Sequence, residues 1–287
     1  MMYNHARLVL LAMLFSLAIG PTSLLAADEA SDRGPITPTS GVLKLFNGQN
    51  LDGLYTYFRD TKLEDPRHVV TVHDGLLHIS GDGVGGVSTR REYRDYHMIC
   101  EFRWGPRTWG ARTNRTKDSG ALVHCQGPEG GYAGIWMESI EAQIIQGGTG
   151  DFIVVRGTGQ VQPRLTAEVT KDRDGENVWC SGGQKQVFTS GRVNWFGRDP
   201  DWADVLGFRG KNDVESPADQ WTRMDVICRG DRITILVNGV KVNEAFDVYP
   251  AAGKLTLQSE MAEIFFRRWE LWPLDKAPAA SKQLDSK

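Results

Sequence analysis

Val69-Val70-Thr71-Val72-His73-Asp74-Gly75-Leu76-Leu77-His78-Ile79 is the stretch on which the reading of the fold turns. Two short runs of β-branched and apolar residues flank an Asp-Gly pair. That is the composition of a β-hairpin, whose tight turn demands positive φ at both central residues. The same pattern recurs along the chain. Residues 96–104, 121–125, 140–145, 152–155, 222–228 and 232–237 read as strands, and Asn238-Gly239 turns the last of these into Val240-Lys241-Val242. Residues 255–258 and 263–271 complete the series. No segment sustains a helical period. Many short strands separated by turn signals predict an all-β sandwich or jelly roll.

Working outward, 287 residues with 40% hydrophobic content suffice for one large β domain with its own core. A formal net charge of -3 gives no electrostatic case for nucleic acid or an anionic membrane surface. At the N-terminus, His5 and Arg7 precede an apolar run, residues 8–19, then Gly20-Pro21 and a small-residue stretch ending Ala26-Ala27. This order is that of a secretory signal peptide over residues 1–27, with an uncleaved anchor as the alternative. The expected location is the periplasm or the extracellular space. Residues 28–40 read as a linker, 41–274 as the β domain, and the polar, alanine-rich 275–287 as a disordered tail. Within the domain, residues 156–220 break the strand rhythm with Gly, charge and aromatics, and are expected to form a long loop-rich insertion. Such a segment is either a binding loop or a surface excursion.

Export permits disulfides, and Cys100, Cys125, Cys180 and Cys228 allow three pairings. Cys100 and Cys228 share strand parity with apolar neighbours, so both are expected in the core, bridged or as two thiols. No spacing matches a zinc motif.

Strand parity also picks out candidate chemistry, because alternate side chains share a face. In Ile140-Glu141-Ala142-Gln143-Ile144 the apolar positions take one face and Glu141 and Gln143 the other. In residues 120–125, Ala121, Val123 and Cys125 form the apolar set, leaving His124 opposite with Leu122. In residues 255–260, Leu255 and Leu257 point one way, Gln258 and Glu260 the other. Amides, carboxylates and an imidazole on a non-core face suit a saccharide, whose hydroxyls they bond in pairs. Other motifs lack their context. Residues 81–86 fit G-x-G-x-x-G without a following helix, and no G-x-S-x-G is present. Direct glycoside displacement would want a second carboxylate beside Glu141, where Gln143 stands instead; Glu260 could supply one from another strand.

Taken together, Leu45-Phe46-Asn47-Gly48-Gln49-Asn50-Leu51-Asp52-Gly53, Asp118-Ser119-Gly120-Ala121-Leu122, the Glu-x-Gln-Ile core of residues 134–145, Gly147-Gly148-Thr149-Gly150-Asp151 and the Leu-x-Leu-Gln-Ser-Glu of residues 255–260 resemble the 3-keto-disaccharide hydrolase family. The resemblance spans residues 43–272. It implies a concanavalin-like jelly roll acting on 3-keto-glycosides. A ketone at C3 acidifies the C2 proton, so a base removes it, the C1 substituent leaves, and water addition completes net hydrolysis. On that reading His124 or Glu141 is the base, Gln143 orients substrate, and Gln258, Glu260 and Arg267 make polar or charged contacts. A divalent metal at His124 and Glu141 would polarise the ketone. A lectin-like module without catalysis is the competing reading, since the same polar face would serve it.

Overall fold

The computed structural model describes residues 34–280. The expected signal peptide, the first part of the linker and the end of the tail lie outside the described residues. The remainder is all β apart from one 3-10 turn, Gly110–Arg112. Its strands form two antiparallel sheets.

The larger sheet has 11 strands, in the order Asn177–Trp179, Arg164–Lys171, Val240–Tyr249, Arg232–Val237, Thr222–Arg229, Tyr96–Thr108, Ala262–Trp272, Leu76–Ile79 and Val70–His73; Leu43–Lys44 and Gln184–Phe188 pair off this path. The smaller has seven, in the order Gly191–Val193, Phe152–Val155, Glu138–Ile145, Asp118–Gln126, Lys254–Glu260, Val84–Thr89 and Leu54–Phe58. Both hairpin turns read from sequence form. Asp74 and Gly75 have φ of 50 and 77°, and Asn238 and Gly239 have 49 and 81°. Those values favour Gly and Asn, as the turn chemistry requires.

The core lies between the sheets. Tyr96, Met98, Cys100, Phe102 and Trp104 alternate along one strand and meet Ile140, Ala142, Ile144, Leu255 and Leu257 from the other sheet. Cys100 and Cys228 are buried there as separate thiols; Cys125 is also free and buried, and Cys180 is free and exposed.

Two expectations change. Residues 156–220 are not all loop: 164–188 contribute three strands to the larger sheet and 191–193 an edge strand to the smaller. Charged and polar residues at the ends of Arg164–Lys171 and along the exposed Gln184–Phe188 hid them. The described part of the tail is also held. Arg223 donates to the carbonyls of Pro278 (2.7 Å) and Ala279 (3.1 Å). Within the linker, Ile36 bonds Glu92 and Arg94 through its backbone, and Pro38 is buried.

Candidate functional site

The smaller sheet turns one face to the core and the other outward, and cross-strand register decides which side chains share the outward face. Gly120 lies opposite Gln143, Leu122 opposite Glu141, and Asp118 opposite Ile145. On the other side Leu257 pairs with Ala121, which sets Gln258 beside Gly120 and Glu260 beside Asp118. Partners directly opposite point the same way. Asp118, Glu141, Gln143, Gln258 and Glu260 therefore share one face, and parity had placed the last four correctly.

Gly120 is the floor of this cluster. A Cβ added there would overlap both Glu141 Oε1 and Gln258 Oε1, so the carboxyl and the amide close over a position that only hydrogen can occupy. Arg112, from the 3-10 turn, reaches in from above. It pairs with Asp118 and lies 3.9 Å from Glu260 and 3.7 Å from Asp204. Arg192, opposite Ile153 on the edge strand, extends the same face next to Glu141. Its Nη1 donates to Asp151 at 2.8 Å. Asp151 is fully buried and also receives Arg198 and the Trp195 amide (2.7 Å). The insertion thus docks on the turn at 146–151. Trp202 Nε1 donates to the Gln146 carbonyl at 2.9 Å, and Arg198 lies 4.4 Å from the Trp202 ring centroid.

Burial pushes the Glu141 carboxyl well above its ordinary range, and the charges of Glu260 and Asp118 push it further. Asp118 and Glu260 are also raised, again first by burial. Glu260 is raised further, because Arg112 sits directly on Asp118 and only near Glu260. The guanidinia of Arg112, which pairs with Asp118, and of Arg192 oppose the rise on both Asp118 and Glu260. The Glu260 side chain keeps 21% exposure against 5% for Asp118, which gives the cluster its opening to solvent. Four buried polar atoms here have no hydrogen-bond partner: Asp118 Oδ1, Glu141 Oε1, Gln258 Oε1 and Arg112 Nε. Buried groups left unmatched cost free energy of ~1–3 kcal/mol each, and four of them converge here.

Two sequence candidates are elsewhere. His124 has φ of 55° and sits where the register slips between Val123 and Gln126, a β-bulge. A bulge adds one residue and reverses parity beyond it. His124 is consequently buried against Tyr96 (ring centroids 6.1 Å apart), its Nδ1 bonded to the Pro250 carbonyl at 2.8 Å. Burial lowers it to about 4, leaving a neutral core imidazole. Cys125 is shifted instead to the second apolar cluster with Leu122, Ile135, Trp136 and Met137. The metal site expected at His124 and Glu141 therefore does not form, since the two residues serve opposite faces. Among the described residues no three His, Cys, Asp or Glu side chains group to hold a metal ion. Arg267 is on the larger sheet, bonded to Glu101 at 2.7 Å.

Sequence reasoning missed Asp118, Arg112, Arg192 and Asp151. Asp118 was within reach: it shares even parity with Gly120 and Leu122. The arginines carry no such signal, because a 3-10 turn brings in Arg112 and a three-residue edge strand of the insertion brings in Arg192.

Carboxyls, amides and guanidinia thus share one face of a two-sheet β-sandwich, in a chain whose family acts on carbohydrate. Residues 41–271 match the 3-keto-alpha-glucoside-1,2-lyase-like domain, and the chain belongs to that family. No curated protein matches it. Among solved structures, a Parabacteroides distasonis protein provisionally described as a glycosyl hydrolase is 17% identical, with a TM-score of 0.47 over 82% of this chain and 94% of its own. A carbohydrate-binding module of Bacillus subtilis is 12% identical (TM-score 0.40; 76% and 93% covered). A Bacillus licheniformis β-glucanase is also 12% identical (TM-score 0.38; 82% and 98%). No residue role is carried over from any of them. No helix among the described residues is long and apolar enough to cross a membrane.

Proposed function

We propose that the protein cleaves 3-keto-glycosides by elimination, with Asp118 as base and Glu260 as acid. What supports this is one outward-facing cluster in which Arg112 pairs directly with Asp118 while Glu260 lies further from it and is more exposed, with burial raising the proton affinity of Asp118, Glu260 and Glu141. Asp118 takes the C2 proton, whose electrons form the C1–C2 double bond as the C1–O bond breaks. Glu260, which has access to solvent, gives its proton to the departing oxygen. Water then adds across the enone at C1 and C2, returning both groups to their starting states. Neutral Glu141 donates to the ketone oxygen as charge develops there, with Arg112 and Arg192 supplying positive potential. Gln143 and Gln258 bond the ring hydroxyls. Export to the periplasm or the cell exterior belongs to the same proposal, on the strength of residues 1–27.

The test is release of 4-nitrophenol from a 4-nitrophenyl 3-keto-glucoside by the purified chain, with NMR detection of an enone in transit. Deuterium at C2 should slow release. Hydrolysis of the unoxidised glycoside at an equal rate, or saccharide binding without turnover of any 3-keto-glycoside, would overturn the elimination reading.

A further inference from the structure

A cavity of about 410 Å³ lies against the larger sheet and shares no residue with the carboxylate cluster. Its volume is that of small-ligand sites. Trp221, Arg267, Glu101, Asp219, Gln220 and Asn238 are among its walls. Thr222 pairs with Phe102, so Trp221 stands beside Arg103 at the end of that ladder. The Arg103 guanidinium lies 5.3 Å from the Trp221 ring centroid and 4.9 Å from that of Phe265, and Arg267 lies 4.7 Å from Trp221. Guanidinium–aromatic packing of this kind holds the indole in one orientation.

The wall behind the indole is satisfied. Asn238 donates to the Val214 carbonyl (2.8 Å) and Ser216 Oγ (3.0 Å), and Arg223 bonds Asp225. Glu101 accepts from Arg267 Nε (2.7 Å) and Arg268 Nη1 (2.8 Å). Three groups lining the cavity have no such engagement among the described residues. They are the terminal nitrogens of Arg267, the Asp219 carboxylate and the Gln220 side-chain amide. An indole held under two guanidinia, with a carboxylate and an amide beside it, supplies what a sugar ring presents in reverse. Its hydroxyls accept from the terminal nitrogens of Arg267 and donate to the carboxylate, and its C–H groups meet the part of the indole that Arg103 and Arg267 do not cover. The mixture of charges, with Glu101 and Asp219 both at the wall, disfavours a polyanion.

We propose that this cavity is a second saccharide-binding site, which holds a glycan on the larger sheet while the carboxylate cluster acts from the smaller one. The experiment uses the full chain with cellohexaose, xylohexaose, maltohexaose and laminarihexaose, by calorimetry and saturation-transfer NMR. At least one should bind in the millimolar range or tighter, and Trp221→Ala should weaken it by about tenfold, the loss expected of one aromatic anchor. Arg267→Gln should weaken it by about threefold or more, since it removes the free donors but leaves Glu101 paired to Arg268. Asp118→Asn should leave this binding unchanged, and both cavity variants should leave glycoside turnover unchanged. Thermal melting reports whether Trp221→Ala is folded; if it is not, Arg267→Gln decides alone. Failure of all four saccharides to bind, binding indifferent to the folded cavity variants, or binding lost in Asp118→Asn would each overturn the proposal.

Discussion

Glu215→Gln should make the protein more stable in alkaline solution and leave it unchanged in acid. Glu215 is buried, its Oε1 accepting from Trp104 Nε1 at 2.6 Å and its Oε2 lying 2.7 Å from Thr149 Oγ1. Burial raises it from 4.5 to about 7, with Asp213 adding to the rise while the bonds from Thr149 and Trp104 oppose it. The folded value exceeds the unfolded one. Its contribution to stability is therefore complete below pH 4.5 and is lost as pH climbs through about 7. At ~1.4 kcal/mol per pH unit the gap is worth about 3 kcal/mol, an upper bound that hydration of the small cavity Glu215 lines with Gln146, Phe208 and Arg209 would reduce. Glutamine preserves the contacts. Its oxygen accepts from Trp104, and its nitrogen donates to Thr149 Oγ1, which already donates to the Ile145 carbonyl at 3.1 Å. Melting curves from pH 4 to 9 provide the assay. Wild type and variant should coincide near pH 4 and separate by roughly 6–12 °C at pH 9, taking 2–4 °C per kcal/mol for a domain of this size. A separation that does not grow with pH would refute the assignment of a buried, proton-holding carboxyl. A variant that melts lower at pH 9 would do the same.

Asp118→Asn should lower turnover of a 3-keto-glycoside by ~10²–10⁴-fold, with melting little changed, as loss of a general base requires. Wild-type activity should rise and fall with pH around one ionised and one protonated carboxyl, both limbs displaced upward from ordinary carboxylate values. In Glu260→Gln, whatever residual rate survives should lack the alkaline limb. Gly120→Ala should abolish activity in a folded protein, because the new methyl displaces Glu141 and Gln258; kinetics like wild type would show that this floor is not used. His124→Ala should cost about 1–3 kcal/mol in denaturant melts, yet keep its turnover, as suits a core residue and not a base.

Much of this protein was legible before any tertiary structure. The hairpin at residues 69–79, the outward parity of Glu141, Gln143, Gln258 and Glu260, and the family were all in the residues, since strand alternation and turn chemistry are local properties. What tertiary pairing decided was which of those outward residues act together. The bulge at His124 inverted its side, and nothing in residues 120–125 announces an extra residue, because a bulge exists only relative to its partner strands. Arg112, Arg192 and Arg198 came to the carboxylates through a turn and an insertion whose return path no periodicity records. The raised proton affinities followed from that assembly alone: burial within it favours the protonated carboxyl at Asp118, Glu141 and Glu260, and neighbouring carboxylates add to the rise.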